Sequence, residues 1–247
     1  MMAPKNDQRK IALDGWPVLA LAGLITILSS FILLPLGFFG LGLMLWLAHT
    51  LRVPDRRMLA GRTQIIAPAD GVIIDLQQDI FPPHQDGAKD IAAMRITILT
   101  RLTDAQLQTS PINGYITDNL LMPGMFNRWG DDPADWQNAR SVNERREIRI
   151  TDEAGRTVVL VQMGSYTARQ LVCHLPEGKF VKAGDALGMA RIGGVCDLFI
   201  PLHSQCQIEV GMHVLAGETV IGNFNAETEP TDHDTIPETV SPGITDV

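Results

Sequence analysis

From Gly15 to Ala48 the chain carries no Asp, Glu, Lys or Arg. A buried soluble helix is satisfied by roughly 14 apolar residues, whereas a helix that crosses a bilayer needs about 20. Pro35-Leu36-Gly37, flanked by Leu33-Leu34 and Phe38-Phe39, breaks the run into Trp16 to Leu34 and Leu36 to Ala48. It is too long for a cleaved signal peptide, and no small-x-small cleavage site follows it. Lys5, Arg9 and Lys10 precede it, and Arg52, Arg56, Arg57 and Arg62 follow it. Basic flanks at both ends put both ends in the cytoplasm under the positive-inside rule. The expected solution is a basic segment over 1–14 and a membrane-associated helical hairpin over 15–49 that turns at residues 35–37. The second half is short for a full crossing, so the hairpin either crosses twice or re-enters one leaflet. A buried pair of soluble helices is the alternative.

Past Arg62 the texture changes. Gln64-Ile65-Ile66-Ala67, Val72-Ile73-Ile74, Arg95-Ile96-Thr97-Ile98-Leu99, Glu147-Ile148-Arg149-Ile150 and Thr157-Val158-Val159-Leu160-Val161 are short and β-branched, with Gly, Pro and Asp-Gly between such runs. This pattern predicts a mainly β (α+β) unit over 50–224, a sandwich or barrel with little helix. Two echoes run through it. Pro68-Ala69-Asp70-Gly71 matches Pro111-Ile112-Asn113-Gly114, each a tight-turn signal before a strand. Val181-Lys182-Ala183-Gly184-Asp185 matches Val214-Leu215-Ala216-Gly217-Glu218, a pattern similar to the hairpins of biotinyl and lipoyl carriers. No Met-Lys-Met accompanies it, so a swinging-arm carrier is not supported. Phe126, Trp129 and Trp136 fall in a loop-like stretch after Pro123-Gly124 and suit either an acyl-chain pocket, bilayer contact or core packing.

The net charge of −8 argues against nucleic-acid binding, which needs a basic stripe. It does not argue against an anionic membrane. The tail over 225–247 has acids and no Lys or Arg and reads as disordered. The body is therefore nearly neutral, with a basic collar around the apolar hairpin. Basic side chains beside an anionic leaflet each contribute about 1 kcal/mol. Cys173, Cys196 and Cys206 are too scattered for a disulfide framework or a zinc site and suit buried thiols in a reduced compartment, and the six histidines show no ligand spacing, so no metal is expected.

An ordered set of motifs resembles the phosphatidylserine decarboxylase family in its short bacterial and archaeal form. Arg52-Val53-Pro54-Asp55-Arg56 is similar to its R-D-P-x-R, Ala67-Pro68-Ala69-Asp70-Gly71 to its S-P-A-D-G, and Asn143-Glu144-Arg145 to its N-E-R. Val161-Gln162-Met163-Gly164, running on to Ala168-Arg169-Gln170-Leu171-Val172-Cys173, resembles V-Q-I-A-G followed by A-R-R-I-x-C. Arg191 to Pro201 resembles R-F-G-S-R-x-D-x-x-L-P. Any one of these is weak, but their order and spacing agree from about Trp16 to Phe224. The resemblance implies a phospholipid partner at the bacterial inner (cytoplasmic) membrane, with the β unit on the cytoplasmic side. It also implies a pyruvoyl group made from the chain itself. A serine attacks the preceding glycine carbonyl, the ester eliminates, and the resulting pyruvoyl forms an imine with the substrate amine. An Asp-His-Ser set drives this.

At the matching positions Asp70 is retained, but the His position is Gln106 and the Gly-Ser pair is Gly193-Gly194. Glycine has no nucleophile for the acyl shift and no β-leaving group. Glutamine does not titrate near neutral pH, so it cannot serve as the base. The implied protein keeps the family's form and membrane position without self-processing. Cys196, two residues past Gly194, could in principle perform an acyl shift, but only with the scissile bond moved to Val195-Cys196. Asp70 without its His suits a turn role, and Arg169 suits either a lipid phosphate or a local ion pair. Ser165 and Ser204 read as ordinary loop serines. An active decarboxylase by an atypical route and a non-catalytic lipid-binding or regulatory module, working as a homo-oligomer or on an active paralogue, are the competing readings.

Overall fold

Apolar content on every face explains the first element. In the computed structural model, which describes residues 16–32, 34–50, 61, 63–82, 91–130, 132–173, 175–190 and 193–225, the helices α1 (Trp16–Ser30) and α2 (Leu34–Thr50) pack against one another. Both the N-terminal basic segment and the acidic tail past Asn225 lie outside the described residues, as do the collar residues Arg52, Arg56, Arg57 and Arg62. The chain reverses at Phe31-Ile32, earlier than expected. Pro35 belongs instead to the first turn of α2, where a missing N–H costs no hydrogen bond. Gly40 meets Thr26, where a Cβ would fall 2.8 Å from Oγ1, and Gly37 meets Ser30, so small residues let the backbones approach. The hydroxyls of Thr26 and Ser30 donate back into α1, to the carbonyls of Ala22 and Thr26, at 2.8 Å each. The outward surface is left to Phe31, Leu34, Phe38 and Phe39, all more than two-thirds exposed. At about 1.5 Å per residue the helices span roughly 22 and 26 Å, against about 30 Å of bilayer hydrocarbon. Among the described residues no helix is long and apolar enough to cross a membrane.

The rest is mainly β. The strands are β1 (Gln64–Ile66), β2 (Gly71–Ile80), β3 (Ala92–Thr100), β4 (Leu107–Thr109), β5 (Gly114–Met122), β6 (Arg145–Thr151) and β7 (Thr157–Met163). They continue as β8 (Leu171–Cys173), β9 (Phe180–Val181), β10 (Ala186–Ala190), β11 (Gly194–Pro201), β12 (Gln205–Cys206), β13 (His213–Val214) and β14 (Val220–Asn223). An eight-stranded antiparallel sheet has the order β13-β2-β3-β11-β7-β6-β5-β9, and two three-stranded sheets have the orders β1-β14-β12 and β4-β10-β8. Along β11, Cys196, Leu198 and Ile200 join Ile96, Ile98, Ile148 and Leu160 in the main core. Val195 and Phe199 face the other way and pack with Val159, Val161 and Met163. Burial on both faces is why these strands read as nearly unbroken apolar runs.

The two sequence echoes are the two halves of an internal repeat. In the large sheet β2 answers to β5, β3 to β6, β11 to β7 and β13 to β9, and the two small sheets answer to one another. The register agrees: Gly71 pairs with Val214, and Gly114 pairs with Val181. Gly217 N–H donates to Ala67 O at 2.9 Å, and Gly184 N–H donates to Ser110 O at 2.7 Å. Both turn glycines lie at positive φ, +76° and +83° respectively, which explains glycine there. The halves are stitched together by Ile66 N–H to Pro111 O and Thr109 N–H to Pro68 O, at 3.0 and 2.8 Å.

One helix interrupts the stretch expected to be a loop. α3 (Pro133–Val142) starts at Asp132, whose side chain accepts from Ala134 N–H, with Pro133 in its first turn. That Asp-Pro signal was present in the sequence, and the polar, Asn-containing segment behind it masked the helix. Val18 and Leu19 of α1 pack against Val172 of β8 and Met189 of β10, which joins the apolar hairpin to the β unit.

Candidate functional site

Where β3 ends, the chain turns through Arg101–Asp104, closed by Asp104 N–H to Arg101 O at 3.1 Å. Gln106 follows, buried to 3% exposure. Its amide NH2 donates to Arg101 O at 3.0 Å and to Asp104 O at 2.8 Å, and its Oε1 accepts from Gly193 N–H at 2.6 Å. Gln106 and Gly193, which the sequence resemblance sets against the family's His and Gly-Ser positions, are therefore in direct contact across the fold. A carboxamide offers two donors and an acceptor together, so one side chain ties the turn after β3 to the chain entering β11.

Both glycines at that entry have conformations an L side chain resists. Gly193 has φ +76° and Gly194 φ +151°. A Cβ on Gly194 would sit 3.2 Å from the Ala190 Cβ and 3.5 Å from the Ala168 Cβ. A non-glycine residue held in such a region costs about 1–3 kcal/mol.

Asp70 is buried, and it bonds to two distant parts of the chain. Its carbonyl accepts from Thr100 Oγ1 at 2.7 Å, and its Oδ1 accepts from Ala216 N–H at 2.8 Å. In the other half Asn113 Oδ1 accepts from Ala183 N–H at 3.0 Å. The bond from Oδ1 reaches the distant repeat turn, and an amide oxygen does the same work at the twin position.

A cavity of about 390 Å³ opens at Gly193 and Gly194. Leu99, Leu102, Trp129, Tyr166 and Val195 give it a mostly apolar wall, and among the described residues Arg101 and Arg128 bring its charged side chains. Leu102 and Tyr166 are 42% and 67% exposed at its edge. Ser165 and Thr167 also line it, but Ser165 Oγ already accepts from Ala168 N–H at 3.1 Å. The cavity lies close to the foot of the apolar hairpin: Met189, which Val18 and Leu19 touch, adjoins the Ala190 that would crowd a side chain at 194.

Trp129 is held from behind by a buried polar group that sequence reasoning did not single out. Arg140 of α3 lies 5.4 Å over its ring. Arg140 Nε donates to Asp197 Oδ2 at 2.9 Å, and Thr97 Oγ1 donates to Asp197 Oδ1 at 2.6 Å. Asp75 lies 3.5 Å from Arg140 and 3.4 Å from Arg95. Burial pushes the Asp197 carboxyl above the usual carboxylate range, against the pull of Arg140 and Thr97. Asp197 stood inside a quoted motif, but its partner comes from the unforeseen helix.

The remaining candidates sit elsewhere. Arg169 is exposed, stacked 5.5 Å over Tyr166 and 5.9 Å over Phe126, and outside the cavity wall. Trp136 belongs to α3 and donates to Gly130 O at 2.8 Å. Ser204 lies in the turn after β11. Cys196 is fully buried in the main core between Ile98 and Gln162, and burial pushes its thiol far above the ordinary range. Cys173 is buried too, whereas Cys206 is exposed. A pyruvoyl group would have to arise from residue 194 itself. Gly194 has no Cβ oxygen, and the nearest thiol in sequence is protonated inside the core, so the residues present do not fit that group. Among the described residues no cluster of three His, Cys, Asp or Glu could hold a metal ion.

Comparison with known proteins matches this same span. The family model described as phosphatidylserine decarboxylase matches residues 43–222. A phosphatidylserine decarboxylase proenzyme of Rickettsia bellii (strain OSU 85-389) is 31% identical over 224 residues, covering 90% of this chain and 94% of the relative. The proenzyme of Rickettsia akari (strain Hartford) is 30% identical over the same shares of each chain. That of Paramagnetospirillum magneticum (strain ATCC 700264 / AMB-1) is 30% identical over 213 residues, 86% of each.

Proposed function

The chain belongs to the phosphatidylserine decarboxylase family, and from that premise we propose that it is a member which stays uncut, rests in a membrane and holds a phospholipid without decarboxylating it. The observation that carries this reading is the contact between Gln106 and Gly193. At the position where the family makes its electron sink, this chain has an amide clamp and a second glycine. The clamp occupies Gln106 fully, with two bonds donated and one accepted. It neither takes nor gives a proton near neutral pH. Rescue by Cys196 is opposed by its burial and by a thiol held protonated, since the thiolate is the nucleophile.

The membrane part of the reading rests on the hairpin. Exposed Phe and Leu over its whole surface have no water-stable explanation as a free-standing helix pair. Hydroxyls satisfied within α1 and glycines at the helix contact are what an apolar solvent demands. Basic residues on both flanks support a cytoplasmic β unit at the bacterial inner membrane. With helices of roughly 22 and 26 Å, a hairpin dipping into the bilayer from one side is favoured over two full crossings.

Intact-mass spectrometry of the purified full chain tests the proposal. One species at the mass of the unbroken polypeptide is expected. A break at Gly193-Gly194 or Val195-Cys196 with a pyruvoyl-bearing fragment would overturn it.

A further inference from the structure

The cavity walls carry a charge pattern that goes past the retention of a phospholipid and names its class. Arg101 and Arg128 line the cavity, and among the described residues neither guanidinium has a hydrogen bond or an ion pair. Among the described residues no carboxylate shares the wall. Asp104, the nearest acid in sequence to Arg101, is engaged by Arg101 N–H at 2.9 Å. Among the described residues the cavity therefore presents two guanidinium groups together with apolar surface, and no carboxylate to pair with an ammonium.

Resting on the reading that this member keeps a phospholipid uncut and unreacted, we propose that Arg101 and Arg128 select phospholipids whose headgroup is a net anion, with no requirement for an amine. A phosphate oxygen satisfies guanidinium donors in a charge-assisted, often forked arrangement. The glycerol and first acyl carbons meet Leu99, Leu102 and Tyr166. A phosphoethanolamine headgroup brings its own cation toward two unpaired guanidinium groups and is disfavoured by like charge. A headgroup such as phosphoglycerol carries no such penalty. An amine has a task only where a pyruvoyl group awaits it, and residue 194 cannot form one.

The experiment uses the full chain in neutral maltoside micelles, with binding read from the shift in thermal unfolding. The probes are dihexanoyl phosphatidylglycerol, dihexanoyl phosphatidylethanolamine and inorganic phosphate. Phosphatidylglycerol is expected to bind at least about tenfold tighter than phosphatidylethanolamine, the scale of a charged hydrogen bond. The Arg101→Gln/Arg128→Gln variant should lose that preference, and Arg101→Lys/Arg128→Lys should keep part of it. Both side chains are exposed, so folding should survive. Should the double variant fail to fold, Arg128→Gln alone must lower the preference. Equal affinity for the two lipids, a preference that survives in the Gln variants, or inorganic phosphate binding as tightly as the lipid would each overturn the proposal. The mass of the same sample separates the two levels. A cleaved chain sinks the reading beneath, whereas an unbroken chain without anion preference sinks only this one.

Discussion

The junctions β6–β7 and β3–β11 occupy matching places in the large sheet, but the chain closes only the first. Between β6 and β7 a short turn runs straight through, with Asp152 Oδ1 accepting from Ala154 N–H at 2.9 Å and Arg156 N–H at 2.8 Å. Between β3 and β11 the chain is discontinuous. β3 leaves toward Gln106 and the other half of the repeat, while β11 arrives at Gly193 from β10. The gap is bridged by a side chain, Gln106, instead of by backbone, and the cavity opens there. A repeat provides the scaffold twice, and a site becomes possible where connectivity cannot follow the repeat. In this chain the side chain at position 106 ties the open junction shut.

The most damaging way to test the equivalence of the halves is to fill the glycines at their strand starts. A Cβ on Gly114 would fall 2.5 Å from the Thr151 carbonyl, and one on Gly71 would strike the Leu99 carbonyl. Gly71→Ala and Gly114→Ala should each cost more than about 3 kcal/mol, since backbone cannot yield as a side chain can. Urea unfolding of both variants checks this, and a mild effect at one alone breaks the symmetry.

Next in size is the contrast between the junctions. Gln106→Ala leaves the buried Gly193 N–H and the part-buried Asp104 carbonyl unpaired and should cost about 2–3 kcal/mol. Asp152→Ala, in a turn the chain already closes, should cost about 1 kcal/mol. Equal losses in the two unfolding curves would count against the clamp.

Smaller still is the prediction for the twin turns. Asp70→Asn should change stability by less than about 1 kcal/mol, because Asn113 makes the matching bond with an amide oxygen. Asp70→Ala and Asn113→Ala should each cost roughly 1–2 kcal/mol, measured the same way. A large loss in Asp70→Asn would show that the carboxylate charge matters and that the halves differ after all.

The last prediction leaves stability untouched. A thiol reagent at mild alkaline pH should modify Cys206 in the native chain, and Cys173 and Cys196 only after denaturation. Fast native labelling of Cys196 would reopen it as a nucleophile.

Much of the fold was legible because local chemistry and tertiary demand agree. The charge-free run could only form apolar helices, and β-branched runs between turn signals became strands. The paired Pro-x-[Asp/Asn]-Gly and Val-x-Ala-Gly echoes were visible, but not that each partner of one pair clasps one of the other. α3 was missed because a polar helix held by Arg140 on buried Asp197 has no apolar stripe to announce it. The reversal of the hairpin was misplaced because Pro35 signals a helix start as readily as a turn.

By itself the sequence determined which side chains stand at this junction. Gly194 carries no side-chain oxygen and Gln106 no group that titrates near neutral pH, and neither fact needs geometry. Only the tertiary structure decided what those residues do instead. Hydrogen bonds depend on ångström separations between segments far apart in the chain, so the Gln106–Gly193 clamp, the placing of Arg101 and Arg128 at one cavity and the burial of Cys196 exist only once β3 and β11 lie side by side.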